Sequence, residues 1–160
     1  MNNLTQSSED YLEAILVISL NSKVVRIKDL AKYLKVKMPS VVSAVKHLAQ
    51  KNLVRHEHYG YVELTEEGEA LAKAIYKRHK TLFKFLHNFL GIDSTIAEKD
   101  ACKIEHYVTS ETMSRLLKFI EFVETCPEGQ PYWLSSFYHF AKTGKRLRPC
   151  NKNENRKKKG

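Results

Sequence analysis

Apolar residues recur at helical spacing through the first fifty positions and predict three consecutive helices. The first covers about 9–20, with Ser8 as its N-cap, and a short second helix covers 26–34. The third runs from Pro39 through 39–50, because proline is tolerated in a first helical turn, where its missing N–H has no partner. The side chains expected to face the core from the second and third helices are Ile27, Leu30, Ala31, Leu34, Val41, Val42, Val45 and Leu48.

After position 52 the apolar period shortens from 3.6 to 2, which indicates β-strands. Alternation over 53–58 and 61–64 predicts a two-stranded hairpin with Gly60 at its turn. Thr65 then caps a long helix that stops at Gly91. The remaining predicted helices are 95–107 and 111–124, capped by Ser94 and Ser110, and an aromatic helix over 133–141.

Helix, tight turn, helix and hairpin, in that order, are typical of a winged helix-turn-helix, which binds DNA. We therefore predict a mainly α fold with a small β-hairpin wing. The winged helix-turn-helix covers 1–72, an all-helical dimerisation and metal-binding domain covers 73–144, and 145–160 form a loose basic tail. Another small α/β module with the same pattern is the alternative.

The third helix is the candidate for entry into the major groove. Its serines can reach phosphates or base edges, whereas its lysines supply charge with little sequence information. The wing can rest on the DNA backbone through Arg55, His56 or His58. The residues expected to contact DNA are Arg26, Lys28, Lys37, Pro39, Ser40, Ser43 and Lys46.

The charge balance also favours a polyanionic partner. The net charge is +9, and the last ten residues hold five basic side chains against one acidic, which leaves about +5 for the rest. Double-stranded DNA fits this balance, although a solvated basic surface gives the same count. The chain has no apolar run of the roughly 18 residues that span a bilayer and no secretory signal pattern, so we expect a cytoplasmic protein without a membrane partner.

Side chains that bind transition metals follow helical spacing in two places. Cys102, Glu105 and His106 stand at i, i+3 and i+4 and so share one helix face. Asp10 and Glu13 are three positions apart on the first helix. Thiolate, imidazole and carboxylate together suit Fe²⁺, Mn²⁺, Zn²⁺ or Co²⁺ better than Mg²⁺ or Ca²⁺. Taken singly, each residue also has an ordinary interpretation: a small buried cysteine, an exposed polar pair or first-turn acids.

Five segments together resemble a known family. They are Ser-Glu-Asp-Tyr-Leu-Glu-Ala-Ile at 8–15, Lys-Met-Pro-Ser-Val-Val at 37–42, Leu-Thr-Glu-Glu-Gly at 64–68, Arg-His at 78–79 and Cys-Lys-Ile-Glu-His at 102–106. Their order and spacing over about 7–124 resemble the diphtheria toxin repressor family of iron- or manganese-dependent regulators. The resemblance implies a homodimer that binds palindromic operators in promoters of metal-uptake genes. It also implies metal ligands at Asp10, Glu13, His79, Cys102, Glu105 and His106.

The pattern mixes two branches of that family. The iron branch usually has methionine at the position of Asp10 and cysteine at that of Cys102. The manganese branch resembles this chain in Asp10, Glu13 and His79 but has glutamate where Cys102 stands. The iron branch also builds an ancillary site with glutamate at the position of Phe83 and histidine at that of Glu98, so this chain lacks that ligand pattern. Because thiolate is a soft ligand, Cys102 favours Fe²⁺ over Mn²⁺, with Zn²⁺ or Co²⁺ as further candidates.

The expected mechanism is metal-dependent closure of the winged helix-turn-helix (1–72), here called the head, on the helical domain (73–144). The reason is that a cation removes the repulsion between clustered carboxylates. The alternatives are a metalloenzyme and a winged-helix regulator that responds to redox state or an organic ligand through Cys102. Cys126, Cys150 and His139 are a weaker candidate for an additional metal or redox site. A further set of apolar residues is expected to be divided between a dimer interface and the intramolecular core: Ile96, Ile104, Met113, Leu116, Leu117, Ile120 and Val123.

Overall fold

The structure, a computed structural model, describes residues 4–22, 24–56, 60–127 and 129–147, without the side chain of His56. His58, Cys150 and the tail beyond 147 lie outside the described residues. The helices are α1 Gln6–Asn21, α2 Ile27–Leu34, α3 Met38–Gln50, α4 Glu66–Lys84, α5 Ser94–Ile104, α6 Ser110–Glu124 and α7 Tyr132–Thr143. The strands are β1 Val25–Arg26, β2 Val54–His56 and β3 Tyr61–Leu64. The predicted fold, mainly α with a small β wing, is confirmed.

The sheet has three strands and not the predicted two. Its order is β1-β3-β2 and both pairings are antiparallel. Val25 pairs with Val62 and is buried, and Arg26 pairs with Tyr61. Two residues are too few to show an apolar period, so β1 could not be recognised in the sequence. Arg26 therefore lies in β1, directly before α2, with its guanidinium 5.4 Å from the centre of the Tyr61 ring.

Helix caps are found slightly earlier than predicted in three helices. A cap side chain accepts a hydrogen bond from a backbone N–H of the first turn, and two neighbouring polar residues compete for this role. The residues found at these caps are Thr5, Asp93 and Thr109, where the sequence favoured Ser8, Ser94 and Ser110. The predicted cap at Thr65 is confirmed by its 3.0 Å hydrogen bond from the Gly68 amide. The helix it caps continues through a π-helical turn, Phe85–Phe89, and the chain turns at Gly91, where φ is +70°.

Two regions of apolar packing lie along α4. Its first half contributes Ala72 and Ile75 to the core of the head, which α1, α2, α3 and the sheet complete. Its second half contributes Leu82, which packs with Ala101 and Met113 in the helical region. The long helix is therefore the one continuous element shared by both regions among the described residues. No helix in the described ranges is long and apolar enough to cross a membrane.

One packing prediction is wrong. Val42, expected in the core, is 47% exposed, because the narrower stripe of Val41, Val45 and Leu48 already fills the inner side of α3. The residues expected at a dimer interface divide into two sets. Those buried within the chain are Met113, Ile120 and Val123, whereas Ile96, Ile104 and Leu117 are exposed and Leu116 is partly buried.

Candidate metal centre and DNA-binding face

Carboxylates and imidazoles from α1, α4 and the turn that follows α5 meet in the interior. Glu13, His79 and Glu105, here called the Glu13 group, offer ligand atoms that all lie within 4.8 Å of one another. Nδ1 of His79 lies 2.8 Å from Oε2 of Glu105 and 4.0 Å from Oε1 of Glu13. The Glu105 side chain has 0% exposure, which is costly for a carboxylate without a compensating partner.

A second set of atoms lies on the other side of Glu105. Nε2 of His106 is 2.9 Å from Oδ1 of Asp10 and 3.5 Å from Oε1 of Glu105, and we call these residues the His106 group. All three atoms are buried, and none has a hydrogen-bond partner among the described residues. Buried polar atoms without partners are rare in proteins and require an explanation such as a bound ion. Glu105 thus gives one oxygen to each group.

The electrostatics of these groups fit a cation. Burial, followed by the nearby Glu105, raises the pKa of Glu13 to about 7. Burial also raises the pKa of Asp10, although His106 opposes the change. Crowded carboxylates hold protons that a divalent ion can replace, since its charge reverses the repulsion among them. Imidazole nitrogen and carboxylate oxygen are suitable ligands for Fe²⁺ and Mn²⁺.

Cys102 differs from the other predicted ligands. Its sulfur is not among the ligand atoms of the Glu13 group, and the residue is exposed. Partial burial of the thiol, followed by the charge of Glu105, raises its pKa to about 11. Five of the six predicted ligands therefore come together closely. Cys102 lies one helical turn before Glu105, where the charges of Glu105, Asp10 and Glu13 also act on its thiol.

Three polar residues near the centre were missed by the sequence interpretation. Oε2 of Glu9 lies 2.8 Å from Nδ1 of His106 and 3.1 Å from a terminal nitrogen of Arg78. Oε1 of Glu98 lies 3.1 Å from Nε2 of His79. Glu9 and Arg78 stand within the segments that carry the family resemblance, next to predicted ligands, which was the available signal.

Phe83 stands where the iron branch has a glutamate ligand of its ancillary site, and in this chain it packs against another ring. Its ring stacks on His87 with 5.4 Å between the ring centroids. Nδ1 of His87 in turn lies 2.9 Å from the carbonyl oxygen of Ile92. Both side chains therefore have structural partners.

Cys126 and His139 belong to no metal-binding group among the described residues.

The predicted DNA-binding residues lie on accessible surface. The exposed positions are Arg26, Lys28, Lys37, Pro39, Ser40, Ser43 and Lys46. Met38 and Val42 were not predicted to be on this side and are also exposed. Apolar side chains beside serines and lysines can contact thymine methyl groups in a major groove, so α3 has both polar and apolar means of contacting bases.

The fold and the centre define a winged-helix regulator with a metal-binding helical region, and comparisons with known proteins agree. The family profile described as the iron-dependent repressor N-terminal DNA-binding domain matches residues 3–62. The profile for the metal-binding and dimerisation domain of the same repressors matches residues 65–134. The chain belongs to the iron-dependent repressor family.

Three similar proteins illustrate this membership. An uncharacterised helix-turn-helix transcriptional regulator of Methanocaldococcus jannaschii is 41% identical over 119 residues, which cover 74% of this chain and 95% of the relative. The crystal structure of T. acidophilum IdeR matches with a TM-score of 0.66 and 28% identity over 82% of this chain and 60% of that one. A manganese-dependent transcriptional repressor in complex with manganese matches with a TM-score of 0.67 and 25% identity over 88% and 79%.

These findings confirm the predicted class of function. The family consists of iron- or manganese-dependent transcriptional repressors that bind DNA and dimerise, and it is not a family of enzymes. The metalloenzyme alternative is therefore excluded.

Proposed function

We propose that this chain represses metal-homeostasis genes by binding two-half-site operators as a homodimer loaded with Fe²⁺ or Mn²⁺. The observation that carries the proposal is the fully buried Glu105, whose two oxygens face His79 and His106. Its partners also include Glu13 and Asp10 from α1, so the centre joins the head to the helical region.

We propose the Glu13 and His106 groups as the metal ligands, with Cys102 as an additional one. Two carboxylates and an imidazole in the Glu13 group suit both Fe²⁺ and Mn²⁺. A deprotonated Cys102 favours Fe²⁺, which we therefore place first, with Mn²⁺ second and Zn²⁺ or Co²⁺ as substitutes. A metal must displace the thiol proton before the sulfur can bind.

In this mechanism the residues of α1 respond to the metal. When bound, the ion supplies the positive charge that the crowded carboxylates lack. Asp10 and Glu13 then stay ionised close to Glu105, which holds α1 against α4 and the end of α5. Moving a closed population from 1:99 to 99:1 requires roughly 5.5 kcal/mol of differential binding. Structural zinc sites release about 10–16 kcal/mol, so a metal centre is sufficient in magnitude.

The packing along α4 supports the domain organisation that we propose. We place the head at 1–72, the dimerisation and metal-binding domain at 73–144 and the basic tail at 145–160. Exposed Ile96, Ile104 and Leu117 are our candidates for an isologous interface. Such a dimer places two α3 helices about 34–36 Å apart, one DNA turn, in the cytoplasm where the operators are.

The direct test is metal-dependent DNA binding. Duplexes are selected from a random library with Mn²⁺-loaded or Fe²⁺-loaded protein, and binding is then measured with EDTA and after each metal is restored. In Glu105→Ala, restoring the metal is expected not to restore DNA binding. Glu124→Ala is the matched control, because Glu124 is an exposed carboxylate paired with Lys84 at 2.7 Å. Selected DNA that binds equally well in EDTA would contradict the proposal.

The redox alternative has less support from the same residues. A pKa of about 11 keeps the Cys102 thiol protonated at neutral pH, and the thiolate is the reactive form of cysteine. We therefore expect oxidant, added with chelator present, to leave DNA binding unchanged.

A further inference from the structure

We propose that Glu9 is a positioning residue of the metal centre, which fixes the ring of His106 from the side opposite the other proposed ligands. The inference rests on the proposed function, because His106 is one of the ligands proposed there. Glu9 itself is not a proposed ligand. Its role is to determine which ring nitrogen of His106 is available to a metal.

The geometry around His106 carries the proposal. Its side chain is 4% exposed, so its two ring nitrogens depend on protein partners. Nδ1 lies 2.8 Å from Oε2 of Glu9, whereas Nε2 faces Asp10 Oδ1 at 2.9 Å. A carboxylate that accepts from one nitrogen fixes the proton there and leaves the lone pair of the other for a metal. Glu9 therefore selects the tautomer in which Nε2 is the ligand atom.

A second contact holds Glu9 in place. The same Oε2 accepts a hydrogen bond from Arg78 at 3.1 Å, and Arg78 is the neighbour of His79 on α4. Glu9, Arg78 and His106 thus come from the same three parts of the chain as the ligands, but their contacts require no metal. Partly buried ion pairs add little net stability, so orientation of His106 is the stronger effect of this arrangement.

Glu98 gives a useful contrast on the other imidazole. It lies 3.1 Å from Nε2 of His79, but its side chain is 62% exposed. Water competes for a carboxylate in that position, and its hold on the ring is weaker. The Glu9 side chain is 19% exposed, and its accepting oxygen has two protein donors.

The first test reads the ring directly in the metal-free full chain. Nitrogen-15 NMR of the histidine side chains, at a pH where imidazole is neutral, reports which nitrogen carries the proton. We expect the His106 proton on Nδ1 in the wild type and in Glu9→Gln, whose amide oxygen still accepts. In Glu9→Ala the proton is expected to move to Nε2. A wild-type His106 with its proton on Nε2 would overturn the proposal.

The second test is Mn²⁺ binding by calorimetry. Loss of an outer-shell partner of a metal ligand typically weakens metal affinity by about 10–100-fold, which we expect for Glu9→Ala, with Glu9→Gln in between. Glu69→Gln is the control and is expected to stay within about twofold, since Glu69 is in an exposed ion pair with Lys73. If Glu9→Ala does not fold, Glu9→Gln and Arg78→Met give the graded series. Wild-type affinity in the folded Glu9 variants would reject the role.

The two tests separate this inference from the proposed function. Failure of the wild type to bind either Mn²⁺ or Fe²⁺ would reject the proposed function. The proton position in the metal-free protein would still decide whether Glu9 sets the tautomer of His106.

Discussion

Oε2 of Glu105 lies 2.8 Å from Nδ1 of His79, and no part of the Glu105 side chain is exposed to solvent. The carboxyl group is also close enough to Glu13 to raise the pKa of that residue. In the metal-free protein Glu105 therefore combines one favourable contact with repulsion from Glu13 at a position buried from solvent. Such a residue is expected to serve binding at the expense of stability.

We expect Glu105→Gln to stabilise the metal-free protein and to remove its response to metal. Loss of the buried charge relieves repulsion with Glu13, and a gain of about 1 kcal/mol corresponds to roughly 2–4 °C in the thermal midpoint. Mn²⁺ affinity is expected to fall by more than the 10–100-fold typical of outer-shell changes. Thermal unfolding in EDTA and calorimetric titration measure the two effects. Metal-dependent DNA binding that survives in this variant would contradict the assigned role.

Cys102→Ser separates the two proposed metals. The residue is exposed and is not part of the Glu13 group, but partial burial of its thiol raises the pKa to about 11. Mn²⁺ gains little from a sulfur ligand, so its affinity is expected to change only slightly in the variant. Fe²⁺ is softer and is expected to lose more affinity. Anaerobic titrations with both ions give the ratio, and equal losses for Fe²⁺ and Mn²⁺ would argue against a role for Cys102 in metal selection.

Much of the fold could be predicted because the helices are long and carry clear apolar stripes. The wing was recognisable from the change of period before Gly60. β1 was not, since its pairing of Val25 with Val62 depends on residues far apart in the sequence. The cap at Thr5 was missed because Ser8 is an equally suitable residue and local sequence does not distinguish them.

The metal centre was predicted mainly from the family resemblance, and its geometry shows why spacing alone is insufficient. Cys102, Glu105 and His106 share a helix face by spacing, but α5 ends at Ile104, so Glu105 and His106 lie in the turn that follows. Glu105 lies beside Glu13 and His106 lies beside Asp10, and spacing within one helix cannot predict these contacts with α1. Glu9 was missed because its contacts with His106 and Arg78 join positions 97 and 69 residues apart.

Lys46→Ala tests the DNA-binding face. Lys46 is exposed on α3, on the side proposed to face the groove. The logarithm of the DNA-binding constant falls linearly with the logarithm of the salt concentration, and each lysine that neutralises one phosphate makes this slope steeper by about 0.9. The slope of the variant is therefore expected to be shallower by about that amount. The loss in affinity is expected to be similar for all sequences. Lys73→Ala, exposed on α4 and paired with Glu69, is the control and should keep the wild-type slope.

Gly68→Ala tests the packing between the wing and α4. A Cβ at this position would lie 1.8 Å from the carbonyl oxygen of Leu53, so the backbone of one element must move. Overpacking of this kind typically costs about 1–3 kcal/mol, and here the obstruction is backbone and not a flexible side chain. We expect a lower thermal midpoint and weaker DNA binding, while Mn²⁺ affinity falls less. An unchanged midpoint would show that α4 and the backbone of Leu53 are far enough apart to accommodate a methyl group.

The last prediction concerns pH, which is expected to act in opposite directions on stability and on metal binding. Burial raises the pKa of Glu13 from 4.5 to about 7, and hydrogen bonding to Glu105 helps to raise the pKa of His79 above 6.5 despite its burial. Between about pH 4.5 and 7 the folded metal-free protein therefore binds more protons than the unfolded chain does. Its free energy of unfolding falls as pH rises through this window, by at most about 3 kcal/mol from Glu13.

Metal affinity has the opposite dependence, because the same protons must leave before a cation binds. We expect the thermal midpoint in EDTA to be higher at pH 6 than at pH 8, and Mn²⁺ affinity to be higher at pH 8. Glu13→Gln removes one titrating group, so its midpoint should vary less with pH than that of the wild type. All other titrating groups are the same in the two proteins, so the difference between their pH slopes reports on Glu13. Equal pH slopes would show that Glu13 does not hold a proton in the metal-free centre.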